Sequence, residues 1–264
     1  AEPSETNLAQ VELQADRALR HTLVAAQKPR MERVEMARRL ARWLLNATPT
    51  AASLQTAVAW QSDQGAFVDW ARFRLLGGDE LPDLSQAYSA CREAVIARRN
   101  AFAKPFAQAL VQWNAQKPAP EGRIIPLESV LEHVLAPIAA AHPTLLLVMD
   151  GLSTSIFREL FARIASQGWA EMVPASLGQP LAGVAALPTI TEVSRASLLC
   201  GRLTVGASAQ EKTGFATNAA LLAHSRADAP PRLFHKGDLA DATNLAPEVR
   251  AAIASTQQRV VGVV

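Results

Sequence analysis

Asp150 and Thr191 are the two residues of this chain whose types and settings best suit chemistry. Asp150 ends the apolar run Leu145–Met149 and precedes Gly151 and the hydroxyl-rich opening of a helical segment, in LLLVMDGLSTS. A carboxylate just past the carboxyl end of a buried parallel strand projects into the cleft where open α/β sheets collect ligands. There it suits a hard or borderline divalent cation. Thr191 follows Leu187-Pro188-Thr189-Ile190 and opens the helical pattern EVSRASLLC. A hydroxyl at a helix start meets backbone N–H groups and the positive end of the dipole, which together favour a phosphate. A metal bound through Asp150 would lower the hydroxyl pKa and turn Thr191 into a nucleophile. Each residue also has a plain alternative. Asp-Gly makes ordinary turns, and Thr189 with Glu192 has capping-box spacing.

Other polar residues join this list with less chemistry attached. Arg195 sits one turn after Thr191 and suits a phosphate oxygen or a pair with Glu192 on the same helix face; the pair is the expectation. His235, Asp238 and Asp241 have ligand-like spacing in a loop after a short strand, which also fits solvated or capping roles. Glu192, Glu211, His224, Asp228 and Glu248 complete the acids and histidines downstream of Thr191, with no Asp-His pair and no D-x-x-x-H among them. Cys91 and Cys200 are the two cysteines of the chain, too few and too far apart for a disulfide framework or a zinc knuckle. Cys200 reads as a small apolar packing residue.

The elements that must position these groups follow two patterns. Residues 7 to about 117 are helical, in four amphipathic segments: Leu8 to Leu19, Met31 to Leu44, about Ala51 to Leu76 with an interruption near Gly65, and about Leu84 to Trp113. Pro105 is expected to kink or split the fourth. Four of the five tryptophans lie here among arginines, which admits a nucleic-acid face. Core packing with solvated, carboxylate-paired arginines is the preferred reading. The Pro-rich QKPAPEGRIIP, Gln116 to Pro126, marks the boundary, so the expected domains are 1–117, a helical region, and 118–264, an α/β core. In the second, helices of about Leu127–Ala141, Thr154–Ser166, Thr191 onward, Ala209–Ala223 and Pro247–Ser255 alternate with strands at Leu145–Met149, Glu171–Pro174, Arg232–Phe234 and Arg259–Val264. That alternation predicts crossover units on a mostly parallel sheet.

Composition excludes more than it selects. The chain has 264 residues, enough for one large or two smaller cores. Its net charge of +2 calls for neither nucleic acid nor a membrane surface as an obligate partner. No apolar run is long enough to span a bilayer. The polar, acidic opening AEPSETNLAQ is no secretory signal, so a cytoplasmic location is expected. An Ala start and the apolar ending RVVGVV predict a fragment of something longer.

The stretches LLLVMDGLSTSIFRELFARIASQGW, LPTITEVSRASLLCGRL, EKTGF and LFHKGDL, in that order, resemble the PglZ family of bacterial phage-exclusion (BREX-type) defence systems, nearest the type 2 form. WQSDQGAFVDWARFRLLGGD and AYSACREAVIARRNAFAKPFAQALVQWN extend the likeness into the helical half, so that it covers most of the chain. The resemblance implies an alkaline-phosphatase-type, doubly wound α/β core, incomplete here. It implies a metal-dependent phosphohydrolase or phosphodiesterase with Asp150 as first metal ligand and Thr191 as metal-bound nucleophile. Thr189 is the fallback. The implied cofactor is a divalent metal, zinc by preference, in a two-metal site whose other ligands lie beyond Val264. Little or no turnover by residues 1–264 alone is therefore expected. The implied partners are a phosphoester substrate and other proteins of the same defence system. The alternatives are a non-catalytic scaffold that docks such proteins and, further off, a helical nucleic-acid adaptor.

Overall fold

A computed structural model describes residues 5–21, 24–47, 52–116, 122–241 and 244–264. The chain forms two compact units, Ala1–Lys117 with Ser153–Ala170, and Pro118–Leu152 with Glu171–Val264. The expected boundary at 117/118 falls among residues 117–121, outside those described. The helix after Asp150, assigned above to the α/β part, packs with the helical unit instead.

Helices α1 (Glu5–Leu19) and α2 (Lys28–Leu45) open the first unit. The expected third segment runs as α3 (Leu54–Trp60), one π turn (Gln61–Gly65) and α4 (Ala66–Arg74). Ser53 caps α3 by accepting from the Thr56 N–H, while Thr56 returns a bond to the Ser53 N–H. The interruption near Gly65 is thus a single wide turn, not a break. At Gly65 a Cβ would sit 2.2 Å from Gln61 Oε1, so the turn is closed by that side chain, which Arg99 also holds at 2.8 Å. Helix α5 (Pro82–Ala115) passes Pro105 as one 34-residue helix, against the expected split. Phe102, which joins the unit's core with Phe106 packed against it, and the buried Ala109 hold the helix on either side of the proline, which outweighs one missing N–H bond.

That core is built from Leu40, Val68, Val95 and Tyr88 around an aromatic group. Trp60 lies 4.3 Å from Phe102 and 6.0 Å from Trp43, ring centre to centre. Trp43 and Trp60 are each 6% exposed, so neither offers a face on which a base could stack. Arg98 covers the Trp43 ring at 4.4 Å and donates to the carbonyls of Trp43 and Leu44, capping the end of α2.

In the second unit, β1 (Ile124–Pro126) leads through irregular helical turns into α6 (Ala136–Ala141) and β2 (Thr144–Leu147). After α7 (Thr154–Ala165, in the first unit) come β3 (Ala182–Val184), α8 (Thr191–Cys200), α9 (Ser208–Ala216) and α10 (Ala219–Leu222). The expected helix 209–223 is split because Asn218 caps a new start, accepting from the Leu221 N–H. Then follow β4 (Arg232–Phe234), α11 (Lys236–Leu239), the small antiparallel pair β5 (Ala240–Asp241) and β6 (Asn244–Leu245), α12 (Pro247–Ala254) and β7 (Val260–Val263).

The last strand is the middle one. β7 pairs in parallel with β2 on one side and β4 on the other, and all four of its residues are buried. A continuous apolar run is what a parallel strand covered on both faces requires. β1 and β3 form a separate parallel pair. No strand forms over Glu171–Pro174: Met172 is 88% exposed and nothing there shields a ladder. The strand forms instead at Ala182–Val184, where the buried Ile124 and Ile125 supply a partner and Arg123 binds the Pro180 carbonyl. The architecture is α/β, helical at the N-terminal side, with small parallel sheets.

Candidate functional site

All the site groups belong to the second unit. Asp150 lies three residues past the end of β2, whose pairing continues as far as the Val148 N–H to the Val263 carbonyl, 2.8 Å. Gly151, with φ +77°, then turns the chain, a conformation L side chains avoid. The turn and the part-exposed Asp150 carboxylate are therefore one feature. Asp150 has 41% of its side chain exposed.

Thr191 is the first residue of α8. The residue before it, Ile190, occupies the cap position with extended backbone and offers no side-chain cap. The expected Thr189–Glu192 capping box is thus not formed, because Thr189 stands one residue too early. The Thr191 hydroxyl donates to Asp150 Oδ2 at 3.4 Å across 41 residues of sequence. At its other end α8 is closed by Gly201 in the left-handed conformation (φ +67°), with the Arg202 N–H bonded to the Ser197 carbonyl. Ser197, fully buried, both accepts from and donates to the Thr204 backbone and so pins the loop that leads into α9.

Arg195 does not pair with Glu192 as expected. Its Nη1 lies 3.2 Å from Asp150 Oδ2, and its Nε and Nη2 grip Glu211 at 3.0 and 3.3 Å. Glu211, on α9, is fully buried. It also takes a 2.6 Å bond from His235 Nε2. Because the carboxylate can only accept, that nitrogen carries the proton; Nδ1 is buried and has no partner among the described residues. Asp238 accepts from the His235 N–H at 2.8 Å and pairs with Lys212 at 2.7 Å. The Lys212 ammonium, ahead of the His235 N–H, holds the Asp238 carboxyl below its ordinary range. Of the expected trio, His235 and Asp238 thus form a helix start, and of Asp241 only the backbone, in β5, is described.

The remaining acids stay apart. Asp228 pairs with Arg226, and Glu248 with Arg232, both on exposed side chains. Cys200 sits half-buried with its thiol pushed up by burial, and Cys91 is raised to about 11 for the same reason, so neither is a thiolate at neutral pH.

A two-metal centre needs several carboxylate or imidazole donors facing one space. Among the described residues no group of three His, Cys, Asp or Glu is disposed to hold a metal ion. Asp150 shares its oxygen with a guanidinium, and both Glu211 oxygens are taken. These residues do not fit a two-metal cage. What the arrangement offers is a hydroxyl at a helix start, a carboxylate that accepts from it, and a guanidinium one turn on. In the sequence Glu211 stands as one acid among several downstream of Thr191. Its one signal is its place four residues before Phe215, which makes it the charged member of a buried helix face.

No family model, curated protein or solved structure matches the chain. No helix among the described residues is long and apolar enough to cross a membrane.

Proposed function

We propose that Thr191, Asp150 and Arg195 form a phosphoryl-transfer site, and that the chain is part of a PglZ-type phosphohydrolase or phosphodiesterase with an alkaline-phosphatase-like core. The observation that carries the reading is the convergence on Asp150 Oδ2 of the Thr191 hydroxyl, 3.4 Å, and Arg195 Nη1, 3.2 Å. A tetrahedral anion at this place meets a guanidinium and the uncapped start of a ten-residue helix. Thr191 Oγ1 attacks phosphorus, its proton passes to Asp150, and the bond from phosphorus to the leaving oxygen breaks. The departing alkoxide takes a proton from water; the hydroxide so formed attacks the phosphothreonine phosphorus, the bond from phosphorus to Thr191 Oγ1 breaks, and Thr191 Oγ1 takes back the proton held by Asp150. Arg195 stabilises the charge on the phosphoryl oxygens. A divalent ion, zinc by family resemblance, has Asp150 as its first ligand in that reading; no step here depends on it. Defence-system partners belong to the same resemblance.

Incubation with a phosphoryl donor such as p-nitrophenyl phosphate, with and without zinc or manganese, tests the proposal. Up to one phosphoryl group per chain is expected, placed by mass spectrometry on Thr191, absent in Thr191→Ala and retained in Thr189→Ala. Orthovanadate is expected to bind saturably. No label and no vanadate binding would defeat the reading. One observation favours the non-catalytic docking alternative: Asp150 Oδ2 is already engaged by Arg195 Nη1. Under that alternative neither label nor vanadate binding appears, and partner proteins are retained.

A further inference from the structure

Glu211 is a carboxylate with none of its side chain exposed, in a helix face otherwise built to pack. It reaches this position because α9 closes tightly on α8. At Gly214, on the next turn of α9, a Cβ would lie 2.5 Å from Cys200 Sγ and 3.0 Å from Cys200 Cα, so only glycine permits the approach. Phe215, fully buried, wedges the same helix against β7, where a Cβ on Gly262 would meet its ring at 3.1 Å. A carboxylate carried inside in this way is unfavourable unless its lone pairs are filled. They are filled by the Arg195 fork on both oxygens and by His235 Nε2 on one.

The geometry of the fork matters more than the charge. Guanidinium is planar and rigid, so clamping Nε and Nη2 leaves Nη1 as the one free edge and dictates where it lies. That edge is 3.2 Å from Asp150 Oδ2, the atom to which Thr191 also points. The side of the guanidinium that meets the exposed groups is therefore chosen by a buried residue that does not touch them. An apolar pair of similar volume would pack at least as well as this buried ion pair, so the arrangement makes sense as a device for orientation.

We propose that Glu211, braced by His235, is a positioning residue that locks the Arg195 guanidinium with its Nη1 edge presented to Asp150 and Thr191. The class of ligand that this edge meets, a tetrahedral oxyanion, rests on the phosphoryl-transfer reading; the lock itself does not. Arg195 stays a single orientation for binding, and Glu211 acts only through it.

The lock is read directly by nitrogen-15 NMR of the whole chain, with the Arg195 Nε–H signal assigned by its disappearance in Arg195→Lys. In the native protein that proton is expected to exchange slowly with water. In Glu211→Gln, checked for a native circular-dichroism spectrum, exchange is expected to quicken by about tenfold or more, the loss of a bond to a charged partner. His235→Phe, which keeps Glu211 and Arg195 but removes the brace, is expected to fall between the two and serves if Glu211→Gln does not fold. An Arg195 Nε–H unchanged in either folded variant overturns the proposal. Orthovanadate titration separates the two readings. If Glu211→Gln and Arg195→Lys both weaken vanadate binding by about tenfold, the lock serves anion recognition, because Lys keeps the charge but not the fork. If the exchange result holds and no form binds vanadate, the lock stands and the phosphoryl-transfer reading falls.

Discussion

Asp79 in the helical unit and Glu211 in the α/β unit are two carboxylates with fully buried side chains, each held by arginine, and they do different work. Asp79 accepts from Arg30 Nε at 3.0 Å, from Arg33 Nη2 at 3.1 Å and from the Leu81 N–H at 3.1 Å. Those bonds tie the first turns of α2 to the segment Asp79–Leu81 that leads into α5, and Nη2 of Arg30 goes to Glu80, whose side chain is 93% exposed. The Arg30 hydrogen bond, ahead of the other contacts, holds the Asp79 carboxyl at about 2. Glu211 is bound as tightly, but the spare nitrogen of its arginine leads to Asp150 and Thr191. The same ion pair is a strut in one unit and a mount in the other. What distinguishes them is where the arginine's further bond leads, to exposed Glu80 in one and to Asp150 in the other.

The comparison breaks most visibly at Glu211. Glu211→Ala leaves a guanidinium and an imidazole without their acceptor in a closed site, and about 3–5 kcal/mol of stability is expected to be lost. Equilibrium unfolding in urea measures it, and a loss below about 1 kcal/mol would mean that water replaces the carboxylate freely. Gly214→Ala probes the helix approach that buries Glu211. The added methyl meets Cys200 backbone at 3.0 Å, so about 1–3 kcal/mol is expected to be lost, together with protection of the Arg195 Nε–H. Unaltered stability in that variant would show that α8 and α9 separate easily.

Asp79→Asn tests the strut. A loss of about 1–2 kcal/mol is expected at neutral pH, since the amide keeps part of the bonding but not the charge. Because the folded carboxyl lies at about 2 against an ordinary 3.8, its contribution is present above pH 3.8 and fades as pH falls through 2. Unfolding curves of native and variant protein at pH 7, 4 and 2.5 are therefore expected to converge on acidification. A gap that stays constant with pH would remove the ion pair from the account. The smallest effect belongs to Thr191→Ala. Its hydroxyl is exposed, caps no helix end and makes one long bond, to Asp150, so stability is expected to change by less than about 0.5 kcal/mol while phosphoryl labelling disappears. A substantial stability loss would make Thr191 a structural residue after all.

Much of the local structure is legible in residue patterns. The strand Arg232–Phe234 and the helix opening at Thr191 fall where periodicity and flanking residues put them. The run RVVGVV reads as a buried strand, and becomes the middle strand of its sheet. Patterns fail where the deciding partner is distant. Glu171–Pro174 has the residues of a strand but no neighbour, whereas Ala182–Val184 has little apolar signal and finds Ile124–Pro126. Pro105 should interrupt a helix, yet burial of Phe102 and Ala109 carries α5 through it. Of the candidate site, Asp150 and Thr191 are visible as types at element ends; Glu211 is not, since its one local mark, Phe215 four residues on, does not tell which acid the packing will bury.

Sequence alone determined that an acidic residue would follow an apolar strand, that a threonine would begin a helix, and that Arg195 would stand one turn further along the same helix. Each follows from local periodicity, which the backbone enforces within a few residues. Which carboxylates Arg195 would choose was decided only by tertiary structure. The local partner, Glu192, is exposed, where water screens an ion pair and side-chain entropy opposes it. Glu211 is brought in by helix packing, shielded from water and presented to the fork on both oxygens, and that distant pair prevails over the near one.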